Sequence, residues 1–366
     1  MKRFMLSTLI VALGLLSCTP EKIDRDIDSV QKDFKDSETG ETAVPDGKYK
    51  DGGLLFAHMK DSDYGSLYYY ISRDGAVWTP LNDNKKVHRT YRGHPDIVKG
   101  GDGRYYMISG RIAGKPGASL FVSDDLISWK IQTTITAAQV FNAKSGYTVD
   151  PAYFGAPKLF YDEDSDQYII TWHATHGTEQ DFTKMKTLYV LTPDFKKYTK
   201  PEFLFDFQSE EFRDIVTIDA IIRKIDGKYW AIYKDERAPV ANGQSPRVCP
   251  TGKTVLISTS DNLTGPWTEP QSPVTPMSVI VDGVEKESRY HEAPTIAPAP
   301  DGKGWYIFAE NYPKQYWRFD NSKMAVDGWK KFHLSIPDSR HGCMVRINQE
   351  EYDALMEAFG PEKEDE

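Results

Sequence analysis

A single carboxylate, Glu292, stands in the segment from Arg289 to Ile296 between strand-like flanks and close to Pro294. A carboxyl group fixed on a rigid β scaffold can hold or deliver a proton when a second ionisable group drives the two pKa values apart. Similar local contexts recur upstream: His94 and Asp96 flank Pro95, Asp219 follows Thr217 and Ile218, and Pro157 lies between Ala156 and Lys158. Three of these four segments hold a carboxylate, and three hold a proline where a ladder N–H is dispensable. Carboxylates on converging strands repel one another, which separates an acid from a base. His94, with an ordinary imidazole pKa of about 6.5, also suits a base. Two residues apart on a strand, His94 and Asp96 share a face and suit a base with its orienting partner.

The elements that must carry these groups are strands. Long β-type runs dominate after Gly52, and helical periodicity is strong only from Gln349 to Phe359, ending at Gly360, a plausible C-cap. One unit recurs five times: a strand, a turn with Asp or Asn, and an aromatic residue. The copies end at Trp78, Trp129, Tyr198, Trp267 and, degenerate, Trp329. A second aromatic-rich strand alternates with it, at Gly103 to Ser109, Gln167 to Trp172, Gly227 to Tyr233 and Gly304 to Phe308, with Leu54 to His58 as the fifth. Repeats of roughly 50 to 70 residues, each able to form about four short antiparallel strands, predict an all-β five-bladed β-propeller with a short C-terminal helix. A β-sandwich predicts shorter, less regular spacing. In a propeller the inner strands converge on a channel, so the segments of His94, Ala156, Asp219 and Glu292 meet at one end of it. The repeat-register Trp78, Trp129, Trp267 and Trp329 are expected in the core.

The chain begins with Met1, Lys2 and Arg3 and an apolar run from Phe4 to Leu16, too short to span a bilayer as a stable helix, which is the pattern of an export signal. Leu15, Leu16, Ser17 and Cys18 resemble the bacterial lipobox, which implies residues 1–18 as a lipoprotein signal with Cys18 bearing lipid in the cell envelope. Residues 19–50 lack hydrophobic periodicity and read as a disordered tether; residues 51–366 form the propeller domain. Cys249 and Cys343 are expected as free thiols. A net charge of −9 and a pI near 5.5 disfavour nucleic-acid binding and anionic surfaces, and favour an uncharged or weakly charged ligand, with the membrane met through the lipid anchor alone.

Taken together, Thr217 to Glu236, His291 to Thr295, Gly155 to Asp162 and the late Arg340, His341 and Gly342, in that family's order along the chain, resemble glycoside hydrolase family 43, especially its arabinosidase-like branch, over about residues 52 to 360. The resemblance implies inverting hydrolysis of plant-cell-wall sugars such as arabinofuranosides or xylosides, with an oligosaccharide or polysaccharide substrate and no required cofactor. By position, Glu292 matches the general acid and Asp219 the carboxylate that modulates its pKa. An inverting enzyme also needs a base across the sugar; the family pattern there is Arg-Asp-Pro, whereas this chain has Gly93, His94 and Pro95. Asp96, two residues later, or His94 itself then serves as base, or the site binds sugar without hydrolysing it. His341 matches a position near the channel axis that often approaches a cation or water, which makes a structural calcium there an expectation; a hydrogen-bonded core histidine is the plainer alternative. Arg237, Arg289 and His291 suit hydrogen bonds to a sugar, and Trp172, Tyr312 and Trp317 suit stacking on its ring. His173 and His176 lack a third ligand in sequence, and Asp235 and Glu236 read as a solvated loop.

Overall fold

The computed structural model describes residues 52–110, 117–140, 154–175, 183–237, 253–270, 274, 278–281, 284–287, 291–311, 315–332, 336 and 338–361. The signal, the tether, Cys18, Cys249, His176, Arg289 and Tyr312 lie outside these residues. The chain divides into two compact units, Ala43–Val279 with Glu287–Glu366, and Met1–Thr42 with Ile280–Lys286.

The larger unit is the five-bladed propeller. In blade 1, β1 (Gly53–Lys60), β2 (Tyr68–Ser72) and β3 (Thr79–Pro80) pair in sequence. Blade 2 holds β4 (Asp96–Lys99), β5 (Tyr105–Ser109), β6 (Gly117–Ser123) and β7 (Lys130–Thr136). Blade 3 holds β8 (Gly155–Asp162), β9 (Gln167–Ala174), β10 (Lys186–Thr192) and β11 (Glu202–Phe203). Blade 4 shows three strands among the described residues, β12 (Thr217–Ile225), β13 (Lys228–Asp235) and β14 (Val255–Ser260). A separate two-stranded hairpin follows, β15 (Ser278–Val281) with β16 (Val284–Glu287). Blade 5 holds β17 (His291–Pro298), β18 (Trp305–Asn311), β19 (Gln315–Asn321) and β20 (Lys330–Phe332). Finally β21 (Ser339–Ile347) returns to pair with β1 and becomes the innermost strand of blade 1. The C-terminal helix, Gln349–Phe359, starts at a capping box in which the Asn348 side chain accepts from the Glu351 N–H and Glu351 answers to the Asn348 N–H.

The inner strands β21, β4, β8, β12 and β17 contact one another around the ring. Because each blade packs on both faces, its middle strands read as near-continuous apolar runs rather than alternating ones. Core clusters therefore lie between blades: Ile108 and Leu120 of blade 2 with Ile170 and Leu188 of blade 3, for example, or Phe56 of blade 1 with Phe308 of blade 5. Trp129 Nε1 donates to Tyr69 Oη at 2.7 Å, tying blade 2 to blade 1.

The Asp of the repeat closes the turn after the third strand. Asp74 Oδ1 accepts from the N–H groups of Ala76 and Val77 at 2.7 and 2.9 Å, Asp125 from Ile127 and Ser128 at 2.9 and 2.7 Å, and Asp194 from Lys196 and Lys197 at 2.9 and 3.1 Å. These Asx turns satisfy backbone donors that the ladder leaves over, which is why Asp and Asn recur at that place. No helix among the described residues is long and apolar enough to cross a membrane.

Candidate active site

Four inner strands break register near their first residues: β8 between Gly155 and Lys158, β12 between Ile218 and Ile221, β17 between Glu292 and Thr295, and β21 opposite Ala57 to Met59. At each break one residue takes a positive φ: Ala156, Asp219, Ala293 and His341. A bulge of this kind re-aims the neighbouring side chains and suspends the ladder, which leaves room for Pro157 and Pro294 directly after two of these residues. His94, followed by Pro95, holds the corresponding place just before β4. The recurring segments seen in sequence are thus one structural position repeated around the ring.

Glu292, one residue before its bulge, is buried, and its carboxylate meets three side chains. Lys234 Nζ donates to Oε2 at 2.8 Å, Arg340 Nη2 approaches Oε1 at 3.4 Å, and His341 Nε2 lies 3.6 Å from Oε1. Asp219 accepts from the Ala293 N–H through Oδ2 at 3.1 Å, so blade 4 is tied directly to the bulge behind Glu292. Its own N–H donates to His173 Nδ1 at 3.3 Å. His94 Nε2 pairs with Tyr64 Oη at 2.8 Å, and its ring stacks on His341 with centroids 3.9 Å apart. Glu310 is fully buried, pairs with Arg340 and accepts from the His341 N–H at 2.9 Å.

Burial alone would raise the Glu292 carboxyl, but the Lys234 ammonium and the Arg340 guanidinium pull it below its ordinary value. Asp219 moves the other way, up to about 6, because it is buried and because the Glu292 charge is near; Lys158 and Lys234 oppose this. Burial and the Glu292 charge push Glu310 well above the carboxylate range. Of the three carboxyl groups, Glu292 is therefore the one whose proton is held least tightly. Burial, reinforced by the surrounding cations, keeps the imidazoles of His94 and His341 well below their usual basicity, and His173 falls to about 3.

The structure brings Glu292, Asp219, His94 and His341 together, and places the other candidates among the described residues elsewhere. Asp96 lies farther along its inner strand, fully buried: Oδ1 pairs with Arg223 Nη2 at 3.0 Å and Oδ2 accepts from the Leu159 N–H at 2.8 Å, so blades 2, 3 and 4 meet on one carboxylate. Trp172 and Trp317, expected as platforms for a sugar ring, are each 1% exposed; Trp172 stacks on Phe154 instead, and neither offers a free face. His291, expected to meet substrate, is buried with its ring edge-on to Phe319. Asp235, read as a solvated loop residue, is buried and held by Arg237 in a two-pronged pair, and Glu236 pairs with Lys234 at 2.8 Å. Cys343 is a free, buried thiol.

Lys234, Glu310 and Lys158 were not legible as site residues. Lys234 and Glu310 end otherwise apolar second strands, opposite Ile218 and Glu292 in the ladder, and His173 stands opposite Gly155 in the same way. A polar residue closing an apolar run at the same register in successive blades is the signal that would have found Lys234, Glu310 and His173; Lys158, on an inner strand, gave no such signal.

Two groups of side chains around the axis bring donor atoms together, His94 with Asp219 and His341, and Glu292 with Glu310 and His341. In each group one donor atom per residue falls within 4.8 Å of the others, and calcium, which takes six to eight oxygen ligands, would need others besides. A cavity of about 630 Å³ opens where the inner strands end, lined by Lys99, Tyr161, Arg223, Trp305 and Arg346 among others, and contains none of the clustered carboxylates.

Solved structures are similar to this chain. They include an exo-β-1,3-galactanase of Phanerochaete chrysosporium (13% identity, 76% of this chain and 54% of that one, TM-score 0.46) and an exo-β-1,3-galactanase of Clostridium thermocellum (12%, 68% and 50%, TM-score 0.50). An α-L-arabinofuranosidase of Fusarium graminearum matches at 15% identity over 80% of this chain and 84% of that one, with a TM-score of 0.49. The chain spans about half the length of the two galactanase chains. No curated protein matches it in sequence. The family model described as "Probable glycosyl hydrolase domain", related to glycoside hydrolase family 43, matches residues 52–353 and so takes in every blade; the chain belongs to this family of glycosidases.

Proposed function

We propose that this chain is an inverting glycosidase that hydrolyses O-glycosidic bonds in plant or algal polysaccharide fragments, of the arabinofuranoside or xyloside type, at the channel end where Glu292 stands. The observation that carries this reading is the pairing of two inner-strand carboxylates on adjacent blades: Asp219 holds the Ala293 N–H at 3.1 Å and thereby fixes the backbone that presents Glu292. Glu292 is the group that protonates the leaving oxygen, and Asp219 positions it and modulates its pKa. An acid held ionised at rest by Lys234 is charged with its proton as pH falls, so turnover belongs on the acid side of neutrality. The water that attacks the opposite face of the sugar belongs beside His94, because both Asp96 oxygens are already engaged by Arg223 and Leu159. The residues from Met1 to Cys18 support an envelope location, with lipid on Cys18 as the membrane tether.

Glu292→Gln keeps the shape and loses the proton. It is expected to lower kcat on aryl glycosides and wall oligosaccharides by about 10²- to 10⁴-fold, the usual weight of a general acid, in a variant that remains folded at the assay temperature. Undiminished turnover in this variant refutes the assignment.

One observation favours a second reading, a carbohydrate-binding propeller without turnover: a weakly basic His94 stands where the family has an aspartate. Calorimetric binding of wall oligosaccharides by the unmodified protein, with no monosaccharide released, establishes that reading over the first.

A further inference from the structure

The clustered carboxylates stand near the first residues of the inner strands, and the cavity of about 630 Å³ lies at their last. Its wall is drawn from the ends of all five: Lys99 of β4, Tyr161 of β8, Arg223 of β12, Pro298 of β17 and Arg346 of β21. Ala297, which also lines it, lies roughly 15 Å from Glu292 along β17 at about 3.3 Å per residue. The two mouths of the channel are therefore separate places. A cavity of this size falls within the range of about 300–1,000 Å³ that encloses small ligands. Buried Ile97, Ile296 and Val345 share its wall with the partly exposed rings of Trp305 and Tyr161. The cations of the wall are already answered. Lys99 pairs with Glu351 at 3.7 Å, Arg223 with Asp96 at 3.0 Å, and Lys224 with Asp164, while Arg346 Nη1 donates to the carbonyls of Gly53 and Ile347, each at 2.8 Å. Glu163 adds a further carboxylate to the same wall.

We infer that this cavity is a second carbohydrate site, which takes a neutral oligosaccharide away from the Glu292 mouth. The wall offers aromatic and aliphatic faces beside paired charges, and a sugar matches both. Its C–H face lies on Trp305 or Tyr161. Its hydroxyls donate and accept at once, so they join a pair such as Lys99 and Glu351 without separating it. An anion has to break such pairs to reach a cation. An apolar ligand strips water from the charges and returns no hydrogen bond. Water satisfies the charges but gains nothing from the rings. A polysaccharide held at both mouths is attached at two points, which raises its effective concentration at Glu292. The inference goes beyond the reaction and does not rest on the role of Glu292.

Xylohexaose, arabinohexaose and oligogalacturonate of the same length, titrated by calorimetry into full-chain Glu292→Gln, test it without turnover. At least one neutral hexaose is expected to bind in two events. Trp305→Ala in that background weakens one of them about 10-fold or more through loss of the stacking face. Lys99→Ala, at a side chain 54% exposed and so of little risk to folding, weakens the same event about 2- to 10-fold. With Glu292 intact, Trp305→Ala leaves kcat on a small aryl glycoside within about twofold while KM on the polymer rises about threefold or more. If the catalytic reading fails, that last measurement is silent and the calorimetry still decides. The proposal is overturned if no neutral hexaose binds at millimolar concentration, or if both variants leave every event unchanged. A preference for oligogalacturonate that vanishes in high salt assigns the cavity to anions and overturns it too.

Discussion

Lys234 is the residue that decides how Glu292 is charged. Its ammonium lies 2.8 Å from both Glu292 and Glu236 and is itself buried, so two carboxylates share it, Glu292 with Arg340 and Glu236 with Lys253 as their second cations. Lys234→Met removes the largest influence that lowers the Glu292 pKa. The acid form then persists to higher pH, and the basic limb of the kcat/KM profile moves upward, which a pH–rate series on an aryl glycoside measures; an unmoved limb excludes Glu292 as the titrating acid. The same change removes one of two cations from each of two buried carboxylates and is expected to destabilise the fold, as read from the unfolding midpoint, by less than the roughly 3–5 kcal/mol that a wholly unpaired buried charge costs. Glu292 itself was legible in the sequence because a lone carboxylate near a proline recurred in equivalent segments. Its cation was not, because Lys234 comes to it from a different blade, and only the ring geometry brings β13 and β17 together.

At the scale of elements, the ion pair of Asp96 and Arg223 acts as a peg between blades. Asp96 takes the Leu159 N–H of blade 3 and the Arg223 guanidinium of blade 4, and Arg223 also donates to the Leu159 carbonyl at 3.3 Å. Asp96→Asn keeps the size and loses the charge; a stability loss of about 1–3 kcal/mol is expected from the weakened buried contact, with turnover within about tenfold of the unmodified protein. A loss of turnover beyond about a thousandfold at unchanged stability would identify Asp96 as the base instead. Five blades were legible because the Asp or Asn turns are local chemistry, readable one copy at a time, and the C-terminal helix because its caps are local too. The bulges were not, since a register break belongs to two strands at once. For the same reason Trp172 and Trp317 were misplaced: strand-end position says nothing of the packing that leaves each 1% exposed.

For the whole molecule, buried neutral histidines set the acid limit. His58, fully buried among Phe56, Tyr68 and Tyr70 of blade 1, is depressed to about 3 by burial, with the Met59 carbonyl opposing this through a bond to Nδ1 at 3.0 Å. A histidine that binds its proton only after unfolding stabilises the native state above its free pKa near 6.5, and that stability drains away as pH falls toward 3. Denaturation midpoints measured from pH 7 to pH 4 are expected to fall, and His58→Phe, which keeps the stacking on Phe56, flattens part of that slope; an identical slope removes His58 as a cause. The same interior is closed by β21, the last strand of the chain, which pairs with β1, the first, and delivers Arg340 and His341 to the Glu292 cluster. On a ribosome adding about 5–20 residues per second, four blades emerge with β1 lacking its inner neighbour, and no partial chain holds an assembled site. Chemistry at Glu292 is thus withheld until synthesis is nearly finished, and a chain cut short before Ser339 leaves an open ring whose β1 edge is free to pair with another chain.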